Sequence, residues 1–178
     1  MARRNQRDAI LDAATRVISD QGLARTTLEA VAAEAGISKG GLLYHFPNKK
    51  EMIMQLIQRR GAMLARHREE VQATLPEGRA MALRSYMTAR LLEPQPENVS
   101  LSKMVDVLED DDLRECVTAM RQKEWQGLED GVVNPELAAI LILAIEGLWI
   151  MDLFKIPVFT GDFRERIVKT MMKMVEEA

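Results

Sequence analysis

The sequence predicts an all-α protein, on three observations. Ala, Leu, Met, Glu, Arg and Ile fill the stretches between few breakers, six prolines and ten glycines in 178 residues, which is a helix-former's composition. Apolar residues recur every three or four positions, and no stretch alternates as a strand would. Capping residues open the periodic stretches, and glycine or proline closes most of them. Nine helices follow from these signals.

Ile10, Leu11, Ala14, Val17 and Ile18 form the stripe of a first helix over residues 5–20, with Gly22 as its stop. Thr26 and Glu29 make a capping box, in which the hydroxyl takes an amide three residues on and the glutamate reaches back. A second helix starts there, carries Leu28, Val31, Ala32 and Ala35, and ends at Gly36. Ser38 caps a third, 39–46, closed by Pro47. Asn48 opens a long fourth helix to residue 74, whose stripe is Met52, Ile53, Leu56, Ile57, Met63 and Leu64. After the turn at Pro76 and Gly78, residues 79–92 read as a fifth helix, broken by Pro94-Gln95-Pro96. Leu101, Met104, Val105 and Leu108 mark a sixth, and the acidic run 109–112 separates it from a seventh, 113–129. Asn134 before Pro135 opens an eighth, apolar helix to residue 155, and 162–176 form a ninth.

At 20.1 kDa, with 47% apolar and 29% charged residues, the chain has room for one or two small domains and not for a large enzyme. The single cysteine, Cys116, cannot close an internal disulfide, and no basic start followed by an apolar core resembles a signal peptide, so a reducing cytoplasm is expected. The longest apolar run, 137–145, is far short of the ~20 residues of a bilayer span, so no membrane partner is expected. His45 and His67 lack neighbours that would hold zinc or activate a nucleophile, and no glycine loop cradles phosphate. No enzyme, cofactor or metal site is therefore expected. The run 109–112 has no histidine partner and reads as capping, and Cys116 reads as a small buried residue of an amphipathic helix.

Charge and methionine are unevenly spread. Residues 1–50 carry eight Lys/Arg against five Asp/Glu, a net +3, and the remainder sixteen against twenty-two, a net −6. Contact with a polyanion belongs to the front. Only Met1 lies in that front part, and the other eleven methionines follow it.

Residues 27–46 make two short helices around the tight Gly36-Ile37-Ser38 turn, the form of a helix-turn-helix. The ordered series Ala13-Ala14, Gly22, Thr26-Thr27, Val31-Ala32, Ala35-Gly36-Ile37-Ser38, Gly40, His45-Phe46 and Lys49 resembles the tetracycline-repressor (TetR) family of bacterial transcription regulators. The resemblance covers about the first fifty residues. It implies a homodimer with two DNA-binding heads, residues 1–47, and an effector-binding and dimerisation domain, residues 48–178, with the fourth helix as the link.

Thr26 and Thr27 sit at a helix N-terminus, where hydroxyls and free amides suit a DNA phosphate or simply cap the helix. Ser38, Lys39, Gly40, Gly41 and Leu42 open the helix in the recognition position, with Lys39 as the donor to a guanine and the glycines allowing close approach of the backbone. The two glycines cost helix stability, roughly 1 kcal/mol each. Tyr44 stands one position after the family's usual tyrosine, where Leu43 stands instead. His45 and Lys49 match backbone-contact positions of the family, and Phe46, with Leu43, is assigned to the core. Arg3, Arg4 and Arg7 either reach along the phosphates or into the minor groove, or form a frayed, solvated terminus.

In the back part, Tyr86, Met87, Met104, Leu108, Met120, Trp125 and Trp149 offer a polarizable effector lining, or ordinary core. Glu146 interrupts the eighth helix and either neutralises a cationic ligand beside Trp149 or remains a solvated or capped charge. Leu137, Leu141, Ala144, Leu148, Met151, Ile167, Met171 and Met174 are the expected dimer seam, with intramolecular core as the competing role. The expected function is a repressor released from double-stranded operator DNA by a small lipophilic, cationic effector, with an efflux pump as the regulated product. The alternatives are a sensor of a metabolite such as a fatty acyl derivative, and a helical module that binds protein instead of DNA.

Overall fold

A computed structural model describes residues 2–92, 109–129, 131–156 and 158–177. Among them are eight helices and no strand: α1 (Ala2–Gln21), α2 (Leu28–Glu34), α3 (Lys39–His45), α4 (Lys49–Thr74), α5 (Met81–Leu91), α6 (Asp111–Leu128), α7 (Pro135–Leu153) and α8 (Gly161–Glu177). The all-α class read from the sequence is the observed one. The sixth predicted helix, with Met104 and Leu108, lies outside the described residues.

The chain divides into two compact units, Met1–Ala62 with Glu97–Met120, and Met63–Pro96 with Arg121–Ala178. In the first unit, Ile10, Ala13, Ala14 and Ile18 of α1 are buried with Val31 and Ala32 of α2, Leu42, Phe46, and Met52 and Ile53 of α4. Leu113 is buried in the same core, and Cys116, Val117 and Met120 are partly buried against it. Gly61 makes room for Met120: a Cβ there would lie 2.6 Å from the Met120 sulfur. Met120 is thus committed to the core that carries the short helices, which corrects its assignment to an effector lining with Trp125 and Trp149.

Local chemistry sets the helix-turn-helix. Gly36, at φ +67°, closes α2 as a Schellman turn, with Ile37 N–H donating to Ala32 C=O (3.0 Å) and Gly36 N–H to Ala33 C=O (3.1 Å). The cap of α2 is displaced by one residue from the predicted box. The Thr27 hydroxyl accepts from Ala30 N–H (3.1 Å), and Thr26 is buried, donating to Gly22 C=O (2.8 Å). Ser38 and Asn48 cap α3 and α4 as predicted, accepting from Gly41 N–H (3.1 Å) and Glu51 N–H (2.8 Å).

In the second unit, α5 contributes Leu83, Tyr86 and Met87, α7 Leu141, Ile145 and Leu148, and α8 Val168, Met171 and Val175. Asn134 caps α7 before Pro135, as read from the sequence. The expected seam is largely this unit's own core. Leu141, Leu148 and Met171 are buried, Leu137, Met151, Ile167 and Met174 are half-buried, and Ala144 is the one of the eight that is exposed. The large apolar residues of α7 that face outward are Ile140, Leu143 and Ile150, with Phe154 after its end. Because α7 is apolar on every side, periodicity carries no contrast by which sequence could tell its two faces apart.

Candidate nucleic-acid interface and ligand site

In the first unit, α2 and α3 present a polar outer surface. Thr27, Ser38, Lys39 and Gly40 are exposed and Gly41 is half-exposed. An added Cβ would meet only the Ser38 hydroxyl oxygen at 4.0 Å on Gly40, and the same oxygen at 3.4 Å and Ile37 Cβ at 4.0 Å on Gly41. These are ordinary contacts, so the fold itself does not require glycine at either position. Lys39 Nζ lies 2.6 Å from Glu29 Oε1. The hydrogen bond from Lys39, then one from the backbone, holds the Glu29 carboxyl below its usual range.

Leu42 and Leu43 take opposite places from those expected: Leu42 is wholly buried and Leu43 is exposed. Leu42 therefore anchors α3 and is withdrawn from the base-facing set. Tyr44 is 70% exposed, with its ring edge-on to His45 at 5.2 Å between centroids. His45 Nε2 lies 3.4 Å from Gln6 Oε1 on α1. Thr26 has no outward hydroxyl, because that group is turned into the turn before α2. Lys49 reaches back instead of out: its ammonium donates to Leu23 C=O (2.7 Å) and Ala24 C=O (3.4 Å), tying α4 to the turn between α1 and α2. The Arg7 guanidinium stands 5.1 Å from the Phe46 ring centre, a cation–π contact over the core's edge. At the start of α6, Asp110 accepts from the amides of Asp112 and Leu113, the predicted capping, and pairs with Lys50 at 3.1 Å.

In the second unit, Glu146 is the centre of a polar cluster. Its Oε1 accepts from the Tyr86 hydroxyl (2.5 Å) and Arg90 Nε (2.8 Å), and its Oε2 from Arg90 Nη2 (3.0 Å) and Arg121 Nη2 (2.5 Å). Arg121 Nη1 also donates to Glu124 (2.7 Å), which lies 3.5 Å from Arg68. Burial pushes the Glu146 carboxyl up, but the hydrogen bond and charge of Arg90, then Arg121 and the Tyr86 hydroxyl, outweigh it and hold the group below its usual range. Burial, with the negative charge of Glu146, pushes the Tyr86 phenol up. The Arg90 guanidinium lies over Trp149, 3.9 Å from the ring centre.

Glu146 is thus neither solvated nor waiting for a cation, because two arginines already meet it. The cations beside this carboxylate are the chain's own, 56 and 25 residues away. Of the predicted lining, Tyr86 borders a cleft of about 20 Å³ with Leu64, His67, Arg68, Ala89, Arg90 and Glu124. Met87 is buried in the core and Trp125 is packed against it. His67 and Arg68 escape a reading of the sequence because charges on a long amphipathic helix look like a solvated face. No helix among the described residues is long and apolar enough to cross a membrane.

Two family models match. "Bacterial regulatory proteins, tetR family" covers residues 10–56, and "Tetracyclin repressor-like, C-terminal domain" covers residues 80–176. The HTH-type transcriptional regulator TtgR of Pseudomonas putida is 38% identical over 63 residues, 32% of this chain and 30% of TtgR. The HTH-type transcriptional repressor KstR2 of Mycobacterium tuberculosis is 25% identical over 156 residues, 78% of this chain and 74% of KstR2. The match to TtgR therefore spans less than a third of that regulator's length. The fold is that of a crystal structure described as the transcriptional regulator SCO7518 from Streptomyces coelicolor A3(2), with a TM-score of 0.74 over 96% of this chain and 98% of that one at 19% identity. With the second model alone matching more than half of its residues, and a capped helix-turn-helix where the first one matches, the chain belongs to the TetR family of bacterial regulatory proteins.

Proposed function

We propose that the chain is a DNA-binding transcriptional repressor that works in the bacterial cytoplasm as a homodimer and leaves its operator when a small lipophilic molecule enters the second unit. The observation that carries the DNA-binding reading is the Gly40-Gly41 pair. The fold tolerates side chains there and gains helix stability from them, so the absence of side chains serves something that approaches from outside. A recognition helix needs such clearance at its N-terminal end, which is the part that reaches base edges. In this reading Thr27, Ser38, Lys39, Tyr44 and His45 face the duplex, and Lys39 exchanges Glu29 for a guanine edge.

Residues 1–47 form the reader and residues 48–178 the sensor and dimerisation part, with α4 as the link. The outward stripe Ile140, Leu143, Ile150 and Phe154, joined by exposed Phe163 of α8, supplies the apolar surface for a helical seam between two copies. A cleft of about 20 Å³ is far below the roughly 300 Å³ of an ordinary ligand site, so a ligand must part the helices to enter. That parting is the signal: heads seated in successive major grooves, about 34 Å apart, lose register on a small displacement. An efflux system for lipophilic compounds is a fitting target gene.

The test is selection of duplexes from a random pool by the full chain, followed by fluorescence anisotropy on the selected sequence. A pseudo-palindromic selectant, and a Lys39→Ala loss on it at least about tenfold greater than on scrambled DNA, are expected. Equal losses on both sequences would refute base reading, and failure to enrich any duplex would leave the protein-binding module as the better account.

A further inference from the structure

The polar cluster around Glu146 carries more guanidinium donors than its carboxylates engage. Both of its carboxylates are engaged, Glu146 by Tyr86, Arg90 and Arg121, and Glu124 by Arg121 and Arg68. Arg68, Arg90 and Arg121 outnumber the two glutamates by one positive charge among the described residues. The cleft beside them is lined by Arg68, Arg90 and His67, and the Nε2 of this same His67 is buried without a hydrogen-bond partner among the described residues. Arg68 meets Glu124 at only 3.5 Å, through one of its five N–H groups, and is 20% exposed. A buried ring nitrogen without a protein partner, on a residue that lines the same cleft as a weakly engaged guanidinium, is where an added hydrogen-bonding group gains most.

Building on the effector-responsive reading, we infer that His67 and Arg68 of α4 anchor the acid group of the effector, which is a lipophilic monocarboxylate and not a cation. One carboxylate balances the single excess charge. Its planar pair of oxygens matches the guanidinium fork, and its size suits a cleft of about 20 Å³, room for one or two oxygen-sized atoms. The Leu64 and Ala89 side of the cleft and the Tyr86 ring meet the apolar body. A cationic ligand would face three arginines whose carboxylates are already taken, and would have to break those pairs to gain a partner. Because both anchors sit on α4, the acid group pulls on the same helix whose first residues belong to the reader's core.

The experiment titrates the full chain with decanoate, decanol and decyltrimethylammonium at fixed ionic strength below their micelle concentrations, following the combined fluorescence of Trp125 and Trp149, the latter stacked under Arg90. Decanoate is expected to bind at least about tenfold tighter than decanol, as a charge-assisted pair supplies, and decyltrimethylammonium most weakly. Arg68→Gln should bring the decanoate-to-decanol ratio close to one. His67→Leu should lower it, and His67→Gln, which keeps a donor, should restore part of it. Should Arg68→Gln fail to fold, Arg68→Lys gives the same reading through an intermediate ratio. Tighter binding of decyltrimethylammonium than of decanoate, or a ratio unmoved in both Arg68→Gln and His67→Leu, overturns the inference. The same ligands added to the protein on its selected duplex separate the two readings. Equal release by decanol and decanoate sinks the acid anchor and keeps the effector reading. Decanoate that binds with the expected preference yet leaves the DNA complex intact keeps the anchor and sinks the effector reading.

Discussion

At Glu146 a carboxylate is set into an apolar helix, and its side chain is 14% exposed, with Arg90 at 9%. A charge so placed is tolerated only where donors satisfy both oxygens, and here four bonds do so. Glu146→Ala leaves Arg90 buried without its partner and should cost about 3 kcal/mol in urea unfolding. The pH dependence has a definite sign. The folded carboxyl lies below its ordinary 4.5, so the unfolded chain binds more protons in that range and the contribution is present above it. Stability is lost as pH falls from 4.5 through the folded value, and Glu146→Gln should flatten that part of the profile; an unchanged acid limb would contradict the assignment. At Gly41 the sign of the expected effect is opposite for two readouts. Gly41→Ala should stabilise the chain by up to about 1 kcal/mol, since its Cβ meets only ordinary contacts, and should weaken DNA binding at least about tenfold. A variant more stable and equally tight on DNA would remove the reason for the glycine.

Among the elements, α7 makes two demands on one sequence. Leu141, 2% exposed, belongs to the unit's core, while Leu143, two positions on, is 73% exposed. Leu141→Ala should therefore cost roughly 2–5 kcal/mol by the cavity it leaves. Leu143→Glu should leave the folded protomer intact and shift sedimentation from dimer to monomer; a dimer that survives it places the seam elsewhere. The contrast also explains which parts of the molecule sequence could disclose. The helix-turn-helix was legible because its determinants are local: Gly36 at positive φ, Ser38 and Asn48 as caps, Pro47 as a stop. The one-residue displacement of the α2 cap, with Thr26 turned inward, arose because two adjacent threonines satisfy the same pattern. Leu42 and Leu43 were indistinguishable for a similar reason, since a seven-residue helix offers too few turns for periodicity to fix its buried face. The faces of α7 and the partners of Glu146 were not legible at all. The first lacks polar contrast, and the second depends on arginines brought together only by the tertiary fold.

For the whole molecule, the uneven charge sets how affinity responds to salt. Residues 1–50 carry +3 while the rest carries −6, so counterion release on DNA binding comes from the front and the remainder contributes repulsion. Each phosphate neutralised contributes a slope of about −0.9 in log affinity against log salt. A dimer that places two heads on one duplex doubles the number neutralised by one head. The full chain should then lose on the order of 10³ in affinity between roughly 50 and 200 mM salt, the behaviour of about six phosphate contacts. Leu143→Glu, if it yields a monomer, should show close to half that slope and a lower affinity at every salt concentration, because one head cannot draw on the other's tethering. Lys39 serves as the internal control: as a base reader it should change the intercept on the selected duplex more than the slope, whereas a phosphate-contacting lysine would change both on any sequence. Equal slopes for dimer and monomer would mean that the second copy never reaches the DNA, and the paired-head arrangement would have to be abandoned even with sequence-specific binding intact.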